Sequence, residues 1–333
     1  METTRITGVD KPASRIGLGT WAIGGWMWGG TDEVESVKTI RAAIDKGVNL
    51  IDTAPIYGFG KSEELVARAI AEHGNRDELV ISTKFGIEWH SEKEVYRNAT
   101  PERLRKEVED SLRRLGVEYI DVYFVHWPDP LVPFEETAEA MEKLREEGKI
   151  KAIGVSNYSA DQLEQFRKGG RADVTQPPYN LFEREIEDDL LPYCNEHEVA
   201  IMAYGGLCRG LLSGKMSMSR EFTGDDLRQV DPKFKHPRFK AYLAAVEQLD
   251  NLAKERHDRT VLELAIRWIL DHGAQMVLWG ARRPDQVENI GRVMDWSLTV
   301  EDLQEIERIV QENITDPVGP EFMAPPSRET AQA

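Results

Sequence analysis

Apolar residues recur along this chain in two alternating patterns. Short, nearly continuous runs occupy Ile16–Trp21, Asn49–Ala54, Leu79–Lys84, Tyr119–His126, Ile150–Asn157, Val174–Asn180, Ala200–Gly206 and Gln275–Ala281. Between them the apolar positions space out at three and four residues, as one buried helix face requires. Val37, Ile40, Ala43 and Ile44 form such a stripe within Val34–Gly47. Leu65, Val66, Ala69 and Ile70 do so within Glu63–Gly74, and Leu104, Val108, Leu112 and Leu115 within Pro101–Gly116. Thr100 and Pro101 suit the N-cap and first position of that last helix. Helices are also expected over Glu135–Lys149, Ala160–Lys168, Ile186–Glu198, Arg238–His257, Thr260–His272 and Pro284–Met294.

Strands that are apolar throughout are buried on both faces, which means a parallel sheet covered by helices. About eight such units in ~250–300 residues is the size of a closed (β/α)8 TIM barrel, with an open doubly wound sheet as the alternative. No linker or composition break divides the chain, so residues 1–333 read as a single domain. Three pieces lie outside the repeat. Met1–Ser14 is expected to form an N-terminal hairpin plugging the barrel bottom. Cys208–His236 makes a long loop after the seventh strand, of the kind that often carries function. Val300–Asn313 adds a C-terminal helix, followed by a Pro-rich tail (316–333) expected to be partly extended and to fray at its end.

The formal net charge is −17, which repels nucleic acid and anionic membranes; neither is expected as a partner. No apolar run approaches the ~18 residues of a membrane span, and the first residues lack the apolar core of a signal peptide. The only cysteines, Cys194 and Cys208, fit a reducing cytoplasm without disulfides. No cysteine spacing or His-Glu-x-x-His pattern points to a metal.

Several strands end on residues foreign to a core. Asp52 lies near the end of the second strand, with Tyr57 in the loop beyond; Lys84 ends the third and His126 the fourth. In a barrel of this kind chemistry sits at the C-terminal strand ends, so four titratable groups would converge on one rim. A phenol titrates near pH 10. A neighbouring ammonium favours its phenolate, and a buried carboxylate would hold that ammonium. Asp52 is thus expected to pair with Lys84, Lys84 to lower Tyr57, and Tyr57 to act as general acid, with His126 orienting a carbonyl. Such a group delivers a proton but holds neither nucleophile nor metal, so a partner must supply the rest of the reaction.

Gly17-x-Gly19-x-x-Ala22 fits a dinucleotide fingerprint, but that motif needs a helix opening at once. Ala22–Gly30 is instead rich in Gly and Trp and reads as a first loop, with Trp26 and Trp28 at a pocket mouth. Trp127 would complete an apolar, aromatic cleft.

The ordered motifs Asp52-Thr-Ala-x-x-Tyr57, Ser82-Thr-Lys84, Val125-His-Trp-Pro128 and Gly154-Val-Ser-Asn157 resemble those of the aldo-keto reductase superfamily. The resemblance runs from Gly17 to the last helix. Tyr204–Leu212 and the tail look like a bacterial branch that includes general stress and glycerol dehydrogenase-type reductases. It implies a (β/α)8 barrel that binds NADP(H) in an extended pose, with Asp52, Tyr57, Lys84 and His126 as the catalytic tetrad. Ser156, Asn157 and Gln176 would bind the nicotinamide amide, Tyr204 would stack on its ring, and Thr20 and Trp21 would lie beside it. Gly205, Leu207, Arg209, Gly210 and Lys215 follow the seventh strand, where glycines permit close approach to a pyrophosphate. After the eighth strand come Gly280 and a helix N-terminus; Arg282 there would clamp a 2′-phosphate. Trp279 replaces the proline and Asn289-Ile290 the Glu-Asn of many relatives, so Gln286 and Asn289 take the adenine contacts. The substrate pocket would include Trp21, Trp28 and Trp127. The implied activity is NADPH-dependent reduction of small aldehydes and ketones, or oxidation of polyols in reverse, by a monomer or weak homo-oligomer. A nicotinamide-binding regulatory subunit without significant turnover is the alternative.

Overall fold

The computed structural model describes residues 1–331. Eight parallel strands close into a barrel. They are β3 (Ile16–Gly19), β4 (Leu50–Asp52), β5 (Val80–Phe85), β8 (Ile120–Val125), β9 (Ile150–Ser156), β10 (Val174–Gln176), β11 (Ala200–Ala203) and β12 (Met276–Gly280), with β12 hydrogen-bonded back to β3. Outside them run α2 (Glu33–Asp45), α3 (Lys61–His73), α4 (Pro101–Leu115), α5 (Phe134–Glu146), α6 (Ala160–Arg167), α7 (Leu190–His197), α8 (Arg238–His257), α9 (Val261–Asp271) and α10 (Val300–Asn313). Expected caps form as their chemistry dictates. Thr100 accepts a bond from the Arg103 N–H and Pro101 opens α4; beyond these expected caps, the helix ends on Gly116 at φ 64°. A cap of this kind contributes about 1 kcal/mol.

Side chains alternate between the two faces of a strand, and that alternation places the site. Leu50, Val80, Val122, Phe124, Ala152, Val174, Met202, Met276 and Leu278 pack together inside the barrel. Two residues further along the same inward rows come Asp52, Ser82 and then Lys84, His126, Gln176 and Tyr204. The inward rows are therefore apolar at the bottom and polar at the top. Gly154 belongs to them by necessity, since a Cβ there would lie 2.3 Å from the Phe124 ring.

The N-terminal hairpin, β1 (Thr3–Thr4) and β2 (Ala13–Ser14), sends Ile6, Val9 and Ala13 into the interior cluster and closes the bottom. A second hairpin, β6 (Ile87–Ser91) with β7 (Glu94–Arg97), follows β5 at the top. Its alternating Ile87 and Trp89, the latter opposite Val95, carry the period-two signal of a strand.

Several expected elements differ. Pro284–Met294 is two 3-10 turns, Pro284–Gln286 and Ile290–Val293, rather than an α-helix. Gln286 turns back to cap the first turn, and the second contains Gly291, a poor helix residue. Ile186–Glu198 breaks in two because Asp189 caps Leu190 N at 2.5 Å and starts α7 afresh. Trp21–Gly24 (α1), where the first strand run was expected to end at Trp21 and a loop to follow, makes one helical turn. The tail is more than extended chain. It makes a 3-10 turn at Glu321–Met323, pairs Ser327 with Arg97, and resumes as α11 (Arg328–Ala331). Its last two residues lie outside the described ones.

Candidate active site

A cavity of about 250 Å³ opens at the C-terminal ends of the strands. Its floor holds Tyr57, His126, Ser156, Asn157, Gln176 and Tyr204. Behind the floor Lys84, fully buried, donates to Asp52 Oδ2 at 2.6 Å and to the Thr53 carbonyl at 2.9 Å. Asp52 Oδ1 accepts from Ser82 Oγ at 2.7 Å and Gln176 Nε2 at 3.0 Å. Every side-chain partner of this carboxylate comes from an inward row of β5 or β10, so barrel closure assembles the pair.

Lys84 Nζ lies 5.1 Å from the centre of the Tyr57 ring, and the His126 ring meets that ring edge-on at 5.7 Å. The four residues singled out in sequence are thus one constellation. Their electrostatics differ from the expectation. Burial, then the charge of Asp52 and the neighbouring Tyr204, push the Tyr57 phenol well above its ordinary value. The physical reason is that Lys84 is engaged by Asp52, so the phenol meets a closed ion pair rather than a free cation. Burial pulls Lys84 itself down, against the opposing pull of Asp52. Burial and the Lys84 charge hold His126 well below its usual range, so its imidazole is neutral. At neutral pH the floor presents a protonated phenol and an uncharged imidazole above one buried ion pair.

The walls are apolar. Trp21, stacked near Tyr57 at 6.1 Å, joins Trp26, Met27, Ile56 and Trp127. Ile87 and Val95 come from the β6–β7 hairpin, and Phe322, Met323, Ala324, Pro325 and Pro326 from the tail. The tail wall was missed; its sign in the sequence is the apolar Phe-Met-Ala-Pro-Pro stretch inside an otherwise polar end. Trp28, by contrast, does not line the cavity. Its ring meets Trp21 edge-on at 5.5 Å with the Arg228 guanidinium 5.3 Å from its centre, so it props the wall from behind.

Residues able to hold a dinucleotide flank the floor. Tyr204 donates to Asn157 Oδ1 at 2.8 Å, and Asn157 donates to the His126 carbonyl and Ser156 Oγ, setting these groups in one row. Thr20 spends its hydroxyl on the Asp52 carbonyl at 2.8 Å. Backbone lies open where phosphates would pass: a Cβ on Gly280 would meet nothing within 4 Å, and one on Gly205 only Glu183 at 4.0 Å. Beyond Leu207 and Gly210, exposed Lys215 acts on Asp285 beside Arg283 and Gln286, bringing cations to one end of this path; Asn289 is exposed nearby. The donor set and the open backbone fit an extended nicotinamide dinucleotide.

Two basic residues are not where the sequence reading put them. Arg209 turns inward, donating to Asp231 Oδ2 at 2.5 Å and to Glu183, and is buried. Its side chain is therefore withdrawn from any phosphate, because two buried carboxylates attract it more strongly than solvent does. Arg282 donates to the Trp28 carbonyl at 2.8 Å and to that of Gly30, clasping the first loop. The turn after β12, Pro284–Gln286, is a short 3-10 turn rather than an α-helix and offers no helix dipole to a phosphate. Among the described residues no group of three or more His, Cys, Asp or Glu side chains is placed to hold a metal ion, and no helix is long and apolar enough to cross a membrane.

Comparison with known proteins agrees with this geometry. The chain is 56% identical over 330 residues to Aldo-keto reductase YhdN of Bacillus subtilis (strain 168), covering 99% of both. It is 37% identical over 297 residues to the NADH-specific methylglyoxal reductase of Escherichia coli (strain K12), covering 84% of this chain and 90% of that one. The solved glycerol dehydrogenase AKR11B4 from Gluconobacter oxydans superposes with a TM-score of 0.88 at 51% identity, over 97% of this chain and 99% of the other. A model of the Aldo/keto reductase family matches residues 15–311, and the chain belongs to that family.

Proposed function

We propose that this oxidoreductase is an NADP(H)-dependent carbonyl reductase, converting small aldehydes or ketones to alcohols and oxidising alcohols or polyols in reverse. The observation that carries the reading is the protonated Tyr57 phenol beside neutral His126 and the buried Lys84–Asp52 pair, at the floor of an apolar cavity. Bound NADPH supplies the hydride.

Tyr57 holds the proton that the carbonyl oxygen needs, and its raised affinity keeps the phenol loaded across neutral pH. His126 offers a neutral imidazole to the same oxygen, which orients the carbonyl without adding charge. Lys84 and Asp52, locked in one buried pair, fix the floor beneath Tyr57. Ser156, Asn157 and Gln176 would hold the nicotinamide amide, and Tyr204 would lie against the ring. The apolar walls exclude water. Lys215 and Arg283 favour the phosphorylated cofactor, although the E. coli relative is named as NADH-specific.

The test is direct. Purified protein is mixed with NADPH or NADH and a panel of aldehydes, ketones and polyols, and the reduced-nicotinamide absorbance is followed. Turnover that favours NADPH is expected. Cofactor binding without turnover would replace the enzyme reading by that of a nicotinamide sensor, and preference for NADH would overturn the assigned phosphate contacts.

A further inference from the structure

Outside the cavity lies a second buried ionic cluster. Glu183, Asp231 and Lys233 are wholly buried and Arg209 nearly so. Arg209 bridges Asp231 and Glu183. Lys233 Nζ donates to Glu183 Oε1 at 2.8 Å, and Asn180 donates to Glu183 Oε2 at 2.7 Å and to the Gly205 carbonyl at 3.0 Å. Burial alone would raise Glu183, but Arg209 and Lys233 outweigh it and hold the carboxyl below its ordinary value. Two carboxylates and two cations neutralise each other here, so nothing in the cluster needs an external ligand.

One bond leaves it. Lys233 Nζ also donates to the Gly319 carbonyl at 3.2 Å. Three residues later Phe322 sits with its ring 5.7 Å from the Arg209 guanidinium, and Phe322 and Met323 line the cavity. The far end of the same segment is fixed separately: Arg97 N–H donates to the Pro326 carbonyl at 2.9 Å, and Arg328 pairs with Asp129 at 3.1 Å. The wall between residues 319 and 326 is therefore a strap held at both ends, and its inner fastening is the cluster that also holds the turn after β11.

We propose that Lys233 is a positioning residue for substrate selection: it ties the Gly319 carbonyl to the Glu183–Arg209 pair and so sets Phe322 and Met323 over the cavity. It touches neither substrate nor cofactor. Its effect falls on substrates large enough to reach the tail wall, and small ones that occupy only the floor do not sense it. The proposal rests on the carbonyl-reductase reading for its kinetic readout, and hydrogen exchange supplies a readout independent of that reading.

Lys233→Met is compared with wild type in two measurements. With saturating NADPH, the KM for 4-nitrobenzaldehyde is expected to rise about tenfold, the loss of one pocket contact. The kcat and KM for propanal should change by less than about twofold. Deuterium uptake should rise over residues 319–327 and not over β4, β5 or β8. Should Lys233→Met fail to fold, Lys233→Gln keeps one donor, and the same shifts in smaller size are expected. Equal changes for both aldehydes, or unchanged exchange in the tail, would overturn the assignment. Wild-type protein that reduces neither aldehyde would refute the enzymatic reading instead, and the exchange measurement would still decide the role of Lys233.

Discussion

Lys84 and Lys233 are both completely buried, yet their surroundings differ in charge balance. Lys233 lies among two carboxylates and a guanidinium, two charges against two. Lys84 has one carboxylate and a backbone carbonyl, and beside this single pair stand two titratable rings. Burial is costly for any further charge there, so both rings stay neutral. A balanced buried cluster has no reason to exchange protons and serves as an anchor. A single pair next to uncharged titratable rings leaves one of them able to give up a proton when a substrate oxygen demands it.

The sharpest way to break this contrast is Lys84→Met. Asp52 would remain buried with hydrogen bonds but no cation, and removing one partner of such a pair costs about 3–5 kcal/mol. The urea unfolding midpoint should fall accordingly. Lys233→Met should cost less, because Arg209 still faces Glu183. Equal losses would mean that the two clusters differ only in position.

Next in size is Tyr57→Phe. The ring keeps its contacts with Trp21 and His126, and only the hydroxyl is lost. Turnover should fall by about two decades or more, the usual contribution of a positioned acid. NADPH affinity and the melting temperature should stay near wild type. Near-normal turnover would move the proton source elsewhere on the rim.

The inner pair was legible in the sequence because strand periodicity exposes it. Asp52, Lys84 and His126 are each the last inward residue of an apolar run, and no core needs them there. The outer cluster was not, because distance along the chain hides it. Lys233 is 50 residues from Glu183 and 86 from Gly319. Arg209 read as a phosphate ligand because a cation followed by glycine in a long loop has that appearance; its partner Glu183 lies 26 residues back in another loop. The barrel followed from eight apolar runs with helical stripes between them. The tail wall and the failed helix after β12 did not, since Phe322 is placed by contacts across the fold and Gln286 by a local capping bond that periodicity cannot register.

The smallest effect concerns the neutral ring. His126 takes up a proton in the folded barrel only well below pH 6.5, whereas an unfolded chain does so near that pH. Below pH 6.5 the unfolded state holds more protons, and stability falls on acidification by up to ~1.4 kcal/mol per pH unit from this residue. Glu107 acts in the opposite sense. Burial, opposed by Arg103, raises its carboxyl to about 7. The folded state therefore binds that proton more tightly, and the resulting stability is present below the ordinary carboxylate range and lost as pH rises through about 7. Between about pH 6 and 5 the two slopes nearly cancel in the intact protein. His126→Asn should remove one of them, so that the variant gains up to ~1.4 kcal/mol per pH unit over wild type on acidification. Glu107→Gln should lose stability over the same interval. Urea midpoints at pH 7 and 5 read both signs at once. A His126→Asn variant whose acid dependence matches wild type would mean that the imidazole binds its proton as readily in the folded barrel as in the unfolded chain, and the contrast between a balanced cluster and a pair beside rings held neutral would no longer hold.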